Sequence, residues 1–423
     1  MTEDTFLADN FLRQLMSVGE VDLVVGIPSY NNAATIGQTV HAIEESLLQN
    51  FIRDRVAILN VDGGSTDDTC NLLLQGDMRR NPGNRGLTSL RTVRRISAQY
   101  ASTPSQGTAM RTILAAAELL RASSCAVVSA ATTNITASWI VKLLRPVYRE
   151  HFDFVAPVFA RDKYQGLLAR ELLYPMSRAV FGYGIRELYA EEWGFSGRLA
   201  SECLEQNVWQ EEAVRARPEA WMAVTAMCAD FKCCQTFLGP KAPLASATGP
   251  DIVEAVRQTV GSLFWCLEEK QTDWLDRSGS QAVPTFGPEH ELTSDEPPPN
   301  PEKIFELFRS GVHDLNPILA SILAPGTHAE IKAIAAADAN KFCFGNELWV
   351  KATYEFAASY HHAVINRDHM VQALVPLYRG RLYSFLRAHA DSTPEQMETN
   401  SEMLCGEFER QKPYLIERWN AKS

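Results

Sequence analysis

Two short apolar runs near the start of the chain each end in polar residues that could form a ligand site. The first run, Val21–Ile27, is followed by Pro28, Ser29, Tyr30 and Asn31, and the second, Arg55–Val61, by Asp62, Gly63 and Gly64. Both runs have the length and β-branched content of buried parallel strands, whose carboxyl ends meet at the edge where α/β sheets bind ligands. The spacing therefore predicts a site at this edge, where the glycines allow close approach and Asp62 accepts hydrogen bonds.

The residues after the second run also fit a purely structural role. Asp67 and Asp68 come at the predicted start of a helix that extends to Leu74. Carboxylates in a first helical turn interact favourably with the helix dipole. A turn at Asp62 that only caps this helix is therefore the alternative to a ligand-binding loop.

Strand and helix patterns alternate through the first 150 residues. Helices are predicted at Ala34–Asn50, Gly107–Arg121 and Ser138–Tyr148, and further strands at Arg91–Ile96 and Cys125–Ser129. Such alternation is typical of a parallel sheet with helices on both faces. We therefore expect an α/β fold with the polar residues at one edge of its sheet.

The second half of the chain has a different pattern. Asp251–Trp274 has the spacing of a long helix, and Asp276–Lys303 is rich in Pro, Gly and Ser, which predicts an irregular connector. Helical periodicity then dominates from Ile304 to Trp419. We therefore expect an α/β domain at residues 1–250 and a mostly helical C-terminal region at 251–423, with the connector at about 276–303.

The composition excludes several classes of protein. The chain has 423 residues, of which 46% are hydrophobic and 22% charged, and its formal net charge of -11 argues against broad nucleic-acid binding. No stretch has the apolar length of a membrane span, and the N-terminus lacks a signal-peptide pattern. The nine cysteines are an odd number without a Cys-x-x-Cys pair, which predicts free thiols, no zinc site and a cytoplasmic protein.

Three segments resemble the GT-A glycosyltransferases, in particular the family 2-like enzymes. They are the strand and turn Val24–Asn32, the Asp-Gly-Gly-Ser-Thr-Asp-Asp-Thr segment Asp62–Thr69, and the turn before a helix, Thr103–Arg111. Within this family the chain is similar to the retaining group that contains glucosyl-3-phosphoglycerate synthase and mannosylglycerate synthase. Three further segments carry this similarity: Ile135–Ile140, Gly194–Arg198 and Pro376–Arg381.

The resemblance implies a GT-A (Rossmann-like) fold and transfer of glucose or mannose, with retained configuration, from a UDP- or GDP-hexose. The implied acceptor is a small glycerate-like hydroxy acid or a sugar. Residues that match the family's nucleotide site are Pro28, Ser29, Tyr30, Asn31, Asp62, Gly63, Gly64, Gln106 and Ser129. Glu192 and Glu219 take the catalytic positions near the reacting sugar, and the helical extension suggests a homodimer.

The family's metal-binding residues are missing. The expected Asp-x-Asp falls on Ser129 and Ala131, and no Asp or Glu lies between Glu118 and Glu150. Gln106 stands where the family has a lysine, and Pro243 where it has a metal-binding histidine. Because a hard cation prefers several oxygen ligands with carboxylate charge, we expect no metal ligands and no divalent cofactor here.

Two hypotheses follow from these departures. In the first, the protein is a metal-independent hexosyltransferase, and basic side chains neutralise the diphosphate leaving group or contact the acceptor. The candidates for this role are Arg161, Lys163 and Lys241, with Arg186 and Arg198 in addition. In the second, it is a catalytically silent homologue that binds a nucleotide or a protein partner. The turn Gly166–Ala169 lacks the Arg and Thr of the family's acceptor-phosphate turn, which argues against 3-phosphoglycerate as the acceptor.

Overall fold

The computed structural model describes residues 7–75, 93–99, 105–242, 252–288 and 299–421. The chain divides into two compact units. The first unit contains Met1–Ala160, Glu187–Gly249 and Val283–Glu291, and the second contains Arg161–Arg186, Pro250–Ala282 and Leu292–Ser423. Each unit is thus assembled from three segments, whereas the domains expected from the sequence were continuous.

The first unit contains a mixed sheet with the strand order β3-β2-β1-β4-β6-β5-β7-β8 over the described residues. The strands are β1 (Leu23–Ser29), β2 (Val56–Asp62), β3 (Val93–Gln99), β4 (Ser124–Val127), β5 (Phe154–Ala160), β6 (Trp193–Ser196), β7 (Cys233–Pro240) and β8 (Thr285–Phe286). The four strands expected before residue 130 are confirmed as β1–β4, with shifted ends. Arg91, the expected start of the third strand, lies outside the described residues.

In chain order the helices are α1 (Asp9–Val18), α2 (Ile36–Asn50), α3 (Thr69–Gln75), α4 (Gln106–Leu119), α5 (Ala137–Glu150), α6 (Tyr174–Phe181), α7 (Gly197–Glu205), α8 (Glu212–Ala216), α9 (Pro218–Cys228), α10 (Ile252–Glu269), α11 (Gln271–Trp274), α12 (Pro301–Asp314), α13 (Asn316–Ile322), α14 (Pro325–Ala336), α15 (Asn346–His361), α16 (Arg367–Ala388) and α17 (Pro394–Asn420). The predicted helices at Ala34–Asn50, Gly107–Arg121 and Ser138–Tyr148 are confirmed as α2, α4 and α5.

The sheet departs from the expected parallel arrangement at β6, which pairs antiparallel with both β4 and β5. Trp193 at the start of β6 lies opposite Val127 at the end of β4. This direction brings Glu191 and Glu192, which precede β6, to the edge where the parallel strands end. A strand of four residues is too short to carry a periodic hydrophobic pattern, so nothing in its residues predicted it.

Helices cover both faces of the sheet around β1, as expected. Side chains of β1 on one face, including Val25, pack in one apolar core with α2 and α5, for example with Ile43 and Leu143. On the other face α4 lies close over β1. The approach is so close that a Cβ at Gly26 would come within 2.7 Å of the Ile113 side chain. This packing fixes α4 relative to β1.

The start of α4 is held tightly. The Ser105 hydroxyl caps the helix by accepting a hydrogen bond from the Thr108 N–H at 3.0 Å. A Cβ at Gly107 would lie 2.6 Å from the carbonyl oxygen of Val214, so only glycine permits this approach to α8. The two contacts together fix the position of Gln106, the first residue of the helix.

The second unit is mostly helical in its described residues, which confirms the prediction for the C-terminal region. Within this unit a buried Arg381 donates a hydrogen bond from Nε to Glu171 Oε2 at 2.8 Å. The expected connector at about 276–303 is only partly described: its residues 285–286 form β8, and 289–298 lie outside the described residues. No helix in the described ranges is both long and apolar enough to cross a lipid bilayer.

Candidate functional site

A cavity of about 540 Å³ lies in the first unit at the carboxyl ends of β1, β2 and β4. The starts of α4, β6 and α9 complete its wall. The lining residues are Pro28, Ser29, Tyr30, Asn32, Gly63, Gly64, Ser105, Gln106, Met110, Val127, Ser129, Ala131, Glu191, Trp193, Pro218 and Glu219. The volume is in the range of sites for small molecules and cofactors. The cavity therefore stands where the sequence predicts a ligand site.

Asp62 lies behind the cavity wall rather than on it. Its carboxylate is fully buried, and Oδ2 accepts hydrogen bonds from the N–H groups of Gly64 (2.9 Å) and Ser65 (2.8 Å). Oδ1 accepts from the hydroxyls of Ser65 (2.6 Å) and Ser29 (3.2 Å). The carboxylate thus holds the turn that presents Gly63 and Gly64 to the cavity.

The two loops that follow β1 and β2 are joined by hydrogen bonds through Asn31. This residue has a left-handed φ of 53°, and its N–H donates to the Ser65 hydroxyl at 2.8 Å. Its side-chain oxygen accepts from the Thr66 N–H at 2.9 Å. Asn31 is exposed and is not part of the cavity lining. Its role in the structure is therefore to fix the relative position of the loops.

Tyr30 places an aromatic ring at the rim of the cavity. The side chain is 60% exposed, although large aromatic residues are usually buried more deeply. The ring packs beside Gly63, where an added Cβ would lie 3.1 Å from Tyr30 Cδ2. A flat apolar surface next to a glycine turn is suited to stacking against a planar ligand group.

Glu219 reaches the cavity from the start of α9 and is 4% exposed. Burial raises the pKa of its carboxyl group, while Arg217 lowers it and Glu191 raises it further. Arg217 Nε lies 2.8 Å from Glu219 Oε1, but the N–H does not point at that oxygen, so this contact is an ion pair and not a hydrogen bond. Glu219 is thus a buried acid on the cavity wall, and within the described residues its Oε1 has an ion pair but no hydrogen bond.

Glu192, the other expected catalytic residue, is fully buried and is absent from the lining. Its Oε1 accepts a hydrogen bond from the Thr132 hydroxyl at 2.6 Å, and its Oε2 lies 2.7 Å from Lys241 Nζ. Lys241, expected to contact diphosphate, is therefore paired with this carboxylate. The neighbouring Glu191 lines the cavity instead.

The remaining basic candidates also have partners. Lys163 and Arg161 belong to the second unit, and Lys163 Nζ donates to the carbonyl oxygen of Ala390 in the same unit. Arg186 in that unit pairs with Glu398, and this carboxylate raises the pKa of the arginine. Arg198 Nη2 lies 2.6 Å from Asp153 Oδ2 in the first unit, outside the cavity lining.

The cavity wall after β4 does not fit a divalent cation. The Ser129 hydroxyl accepts a hydrogen bond from the Ala131 N–H at 3.3 Å, and Ala131 has no ligand atom in its side chain. No group of three or more His, Cys, Asp or Glu side chains able to hold a metal occurs within the described residues. Mg²⁺ and Mn²⁺ need several oxygen ligands with carboxylate charge, and the wall offers one neutral hydroxyl at this position.

Several lining residues were not predicted from the sequence: Asn32, Ser105, Met110, Val127, Ala131, Glu191, Trp193 and Pro218. Met110 could have been found, because it lies one helical turn after Gln106 and so shares its face of α4. Glu191 and Trp193 had no such signal. They flank Glu192 at the start of β6, and which of these residues face the cavity depends on how β6 pairs with β4.

No protein-family model matches the sequence, and no curated protein matches it. Similar solved structures include glucosyl-3-phosphoglycerate synthase from Mycobacterium tuberculosis in complex with Mn²⁺, UDP and glucosyl-3-phosphoglycerate. This synthase is 16% identical to the chain, the match covers 62% of this chain and 84% of that chain, and the TM-score is 0.42. The same synthase with Mn²⁺, UDP-glucose and phosphoglyceric acid is 17% identical, with 60% and 83% covered and a TM-score of 0.42. A mycobacterial protein is 17% identical, with 60% and 77% covered and a TM-score of 0.44. Likeness at this level carries no conclusion about function.

Proposed function

We propose that the first unit is a GT-A-type, glycosyltransferase-like module that binds a UDP- or GDP-hexose in its cavity without a divalent metal. One observation carries this proposal. The two segments that resemble the family's nucleotide motifs, after β1 and after β2, meet on one wall of the cavity, where the Tyr30 ring packs beside Gly63. A planar base can stack on such a ring while the glycine turn allows the backbone to approach the ribose.

Metal independence is proposed because carboxylates are missing from the wall after β4. In metal-dependent enzymes the cation neutralises the leaving group. Ser129 supplies one neutral hydroxyl here, so nucleotide affinity should change little when Mg²⁺ or Mn²⁺ is added.

Transfer of glucose or mannose with retained configuration is the activity that the resemblance implies. Glu219 is the residue best placed to act on the sugar, because its carboxylate lines the cavity and has a raised pKa. The acceptor would be a small hydroxy acid or sugar.

We also propose that the protein is a cytoplasmic homodimer. Light scattering on the purified protein would test the dimer.

A catalytically silent homologue is the second candidate, and one observation favours it. Departure of a diphosphate needs positive charge close to it. None of the described lining residues is basic, and Lys241 is held by Glu192. In this candidate the cavity binds a nucleotide or supports a protein partner without turnover.

Calorimetry and a turnover assay together test these proposals. EDTA-treated protein is titrated with UDP-glucose and GDP-mannose, with and without Mn²⁺, and donor consumption is followed by chromatography. Binding of one donor with equal affinity in both conditions supports the first proposal. Donor consumption in EDTA with glycerate as acceptor identifies the transferase, and binding without consumption identifies the silent homologue. A tight stoichiometric Mn²⁺ site, or no binding of either donor, contradicts the proposal.

A further inference from the structure

The cavity has a charge pattern that does not suit a phosphate group. Its charged lining residues are two carboxylates, Glu191 and Glu219, and none of its described lining residues is Lys, Arg or His. Carboxylates repel an anion at short range, and this repulsion is stronger in a partly enclosed site than in water. The ion pair with Arg217 offsets part of the Glu219 charge, so Glu191 is the main source of the repulsion. The pattern differs from the usual anion site, in which basic side chains or several backbone N–H groups face the ligand.

The two cations that act electrostatically on Glu219, Arg217 and Lys241, are already paired. Arg217 lies 2.8 Å from Glu219, and its Nη2 also donates to the carbonyl oxygen of Tyr189 at 3.1 Å. Lys241 lies 2.7 Å from Glu192, and its side chain is 11% exposed. Recruiting either cation to a ligand phosphate would leave a buried carboxylate without its partner, which is unfavourable.

The start of α4 is a feature of the wall that favours an anion. Helix N-termini carry partial positive charge, and Gln106 at this end lines the cavity. However, the Ser105 hydroxyl already accepts the hydrogen bond of the Thr108 N–H. The partial positive charge at the start of α4 therefore offsets only part of the repulsion that the two carboxylates exert on an anion.

Two buried polar atoms of lining residues have no hydrogen-bond partner among the described residues. They are Trp193 Nε1, in a side chain that is 2% exposed, and Glu219 Oε1, in one that is 4% exposed. Glu219 Oε1 has its ion pair with Arg217, whereas the indole N–H has no partner in the described part of the chain, so a ligand that offers an acceptor to this N–H is favoured. A hydroxyl group suits this position, because it can accept from an indole N–H and can also donate to a carboxylate.

We infer that the cavity selects uncharged, hydroxyl-bearing groups, namely the nucleoside or sugar parts of a ligand, and that phosphate groups add nothing to its affinity. The inference rests on the proposed function, since it names which parts of a nucleotide sugar the cavity holds. The diphosphate then acts only as a tolerated link between the two parts. Affinity comes from stacking on Tyr30 and from hydrogen bonds at Trp193 and Glu219.

Calorimetry with a ligand panel tests this inference on the full chain. The panel contains uridine, guanosine, UDP, GDP, UDP-glucose, GDP-mannose, glucose and mannose. We expect a nucleoside to bind as tightly as its diphosphate, within about threefold, at constant ionic strength. A diphosphate that binds about tenfold more tightly than its nucleoside overturns the inference and leaves the proposed function standing. If free sugars bind and every nucleotide-containing ligand fails, the proposed function falls and the inference stands. If nothing in the panel binds, both fall.

Charge variants give an independent measurement. Glu191→Gln is expected to improve diphosphate binding relative to nucleoside binding by about threefold or more, because it removes a repulsive charge from the wall. Glu45→Gln is the matched control, since Glu45 is exposed on α2 outside the cavity lining, and it should leave the ratio unchanged. If the ratio of diphosphate affinity to nucleoside affinity is the same in Glu191→Gln and in the parent, the Glu191 charge does not repel the diphosphate and the inference is overturned.

Trp193→Phe tests the hydrogen bond. This variant keeps a ring against Phe154 and Phe195 but removes the indole N–H. Its affinity for the hydroxyl-bearing ligand that binds the parent should be about threefold to tenfold lower. The unfolding midpoint of the variant is measured in parallel, and unchanged affinity in a variant that stays folded removes Trp193 from the site.

Discussion

Lys241 Nζ lies 2.7 Å from Glu192 Oε2, and these side chains are 11% and 0% exposed. The sequence suggested separate roles for the two residues, one near the diphosphate and one near the reacting sugar. In the structure they bind each other, and Glu192 also accepts a hydrogen bond from Thr132 at 2.6 Å. Glu192 thus joins Thr132, in the segment after β4, to Lys241, which follows β7, and so helps to fix the wall that carries Ser129 and Ala131.

Removing the lysine from this pair should destabilise the protein. Lys241→Met is expected to lower the free energy of unfolding by about 3–5 kcal/mol, because it leaves the Glu192 carboxylate buried without its cation. Urea denaturation measures the change. The double variant Lys241→Met/Glu192→Gln is the control and should recover part of the loss. A single variant as stable as the parent would show that the pair does not hold the wall.

Loss of the Asp62 carboxylate should affect both stability and binding. Asp62→Ala leaves the N–H groups of Gly64 and Ser65 without their acceptor, which should cost about 1–3 kcal/mol of stability. Nucleotide affinity should fall by a similar amount, because Gly63 and Gly64 lose their fixed position. Denaturation and calorimetry measure the two effects. Glu45→Ala, at an exposed site of α2 outside the cavity lining, should change neither by more than about 0.5 kcal/mol. Unchanged affinity in Asp62→Ala for every ligand of the parent would separate this turn from the site.

Tyr30 should contribute to binding without contributing much to stability. Stacking of a base on an aromatic side chain is worth about 1–3 kcal/mol, so Tyr30→Ala should weaken nucleoside binding by that amount. Because the ring is 60% exposed, the unfolding midpoint should move little. Tyr30→Phe keeps the ring and should bind like the parent. Equal affinities of the Ala and Phe variants would rule out stacking.

Protonation of Glu219 should make the free energy of unfolding depend on pH. Burial raises its folded-state pKa above the ordinary value of 4.5, so protonation favours the folded state. Its contribution is fully present below pH 4.5 and is lost as the pH rises through the raised folded pKa. In denaturation experiments from pH 4 to pH 8, Glu219→Gln should lack this decline. Parallel curves for variant and parent would mean that the carboxyl group titrates normally.

Carboxylates placed after β4 should create a cation site. Ser129 and Ala131 both line the cavity, so Ser129→Asp/Ala131→Asp puts two carboxylates on the same wall. We expect measurable Mn²⁺ binding in calorimetry, where the parent shows little. Ser129→Asn/Ala131→Asn has a similar shape without the charge and should not bind the ion. Tight Mn²⁺ binding by the parent would show that this wall already holds a cation without the added carboxylates.

The local parts of this fold could be predicted from the sequence, and the long-range parts could not. The runs that became β1 and β2, and the glycine turn after Asp62, depend on neighbouring residues and were visible as patterns. The orientation of Glu191 and Glu192 depends on the antiparallel pairing of β6 with β4, which joins segments more than sixty residues apart. The same limit applies to Lys241, which lies 49 residues after its partner Glu192, so that their pairing is not visible as a local pattern.

The close approach at Gly107 makes the width of the cavity depend on one missing methyl group. A Cβ at this position would lie 2.6 Å from the carbonyl oxygen of Val214. Gly107→Ala would act as a wedge between the start of α4, which carries Gln106, and the segment that leads into α9, which carries Glu219. A larger residue at position 107 that widened the cavity for a larger ligand would also disturb the packing of α4 on α8. The wider cavity would therefore come with a loss of stability.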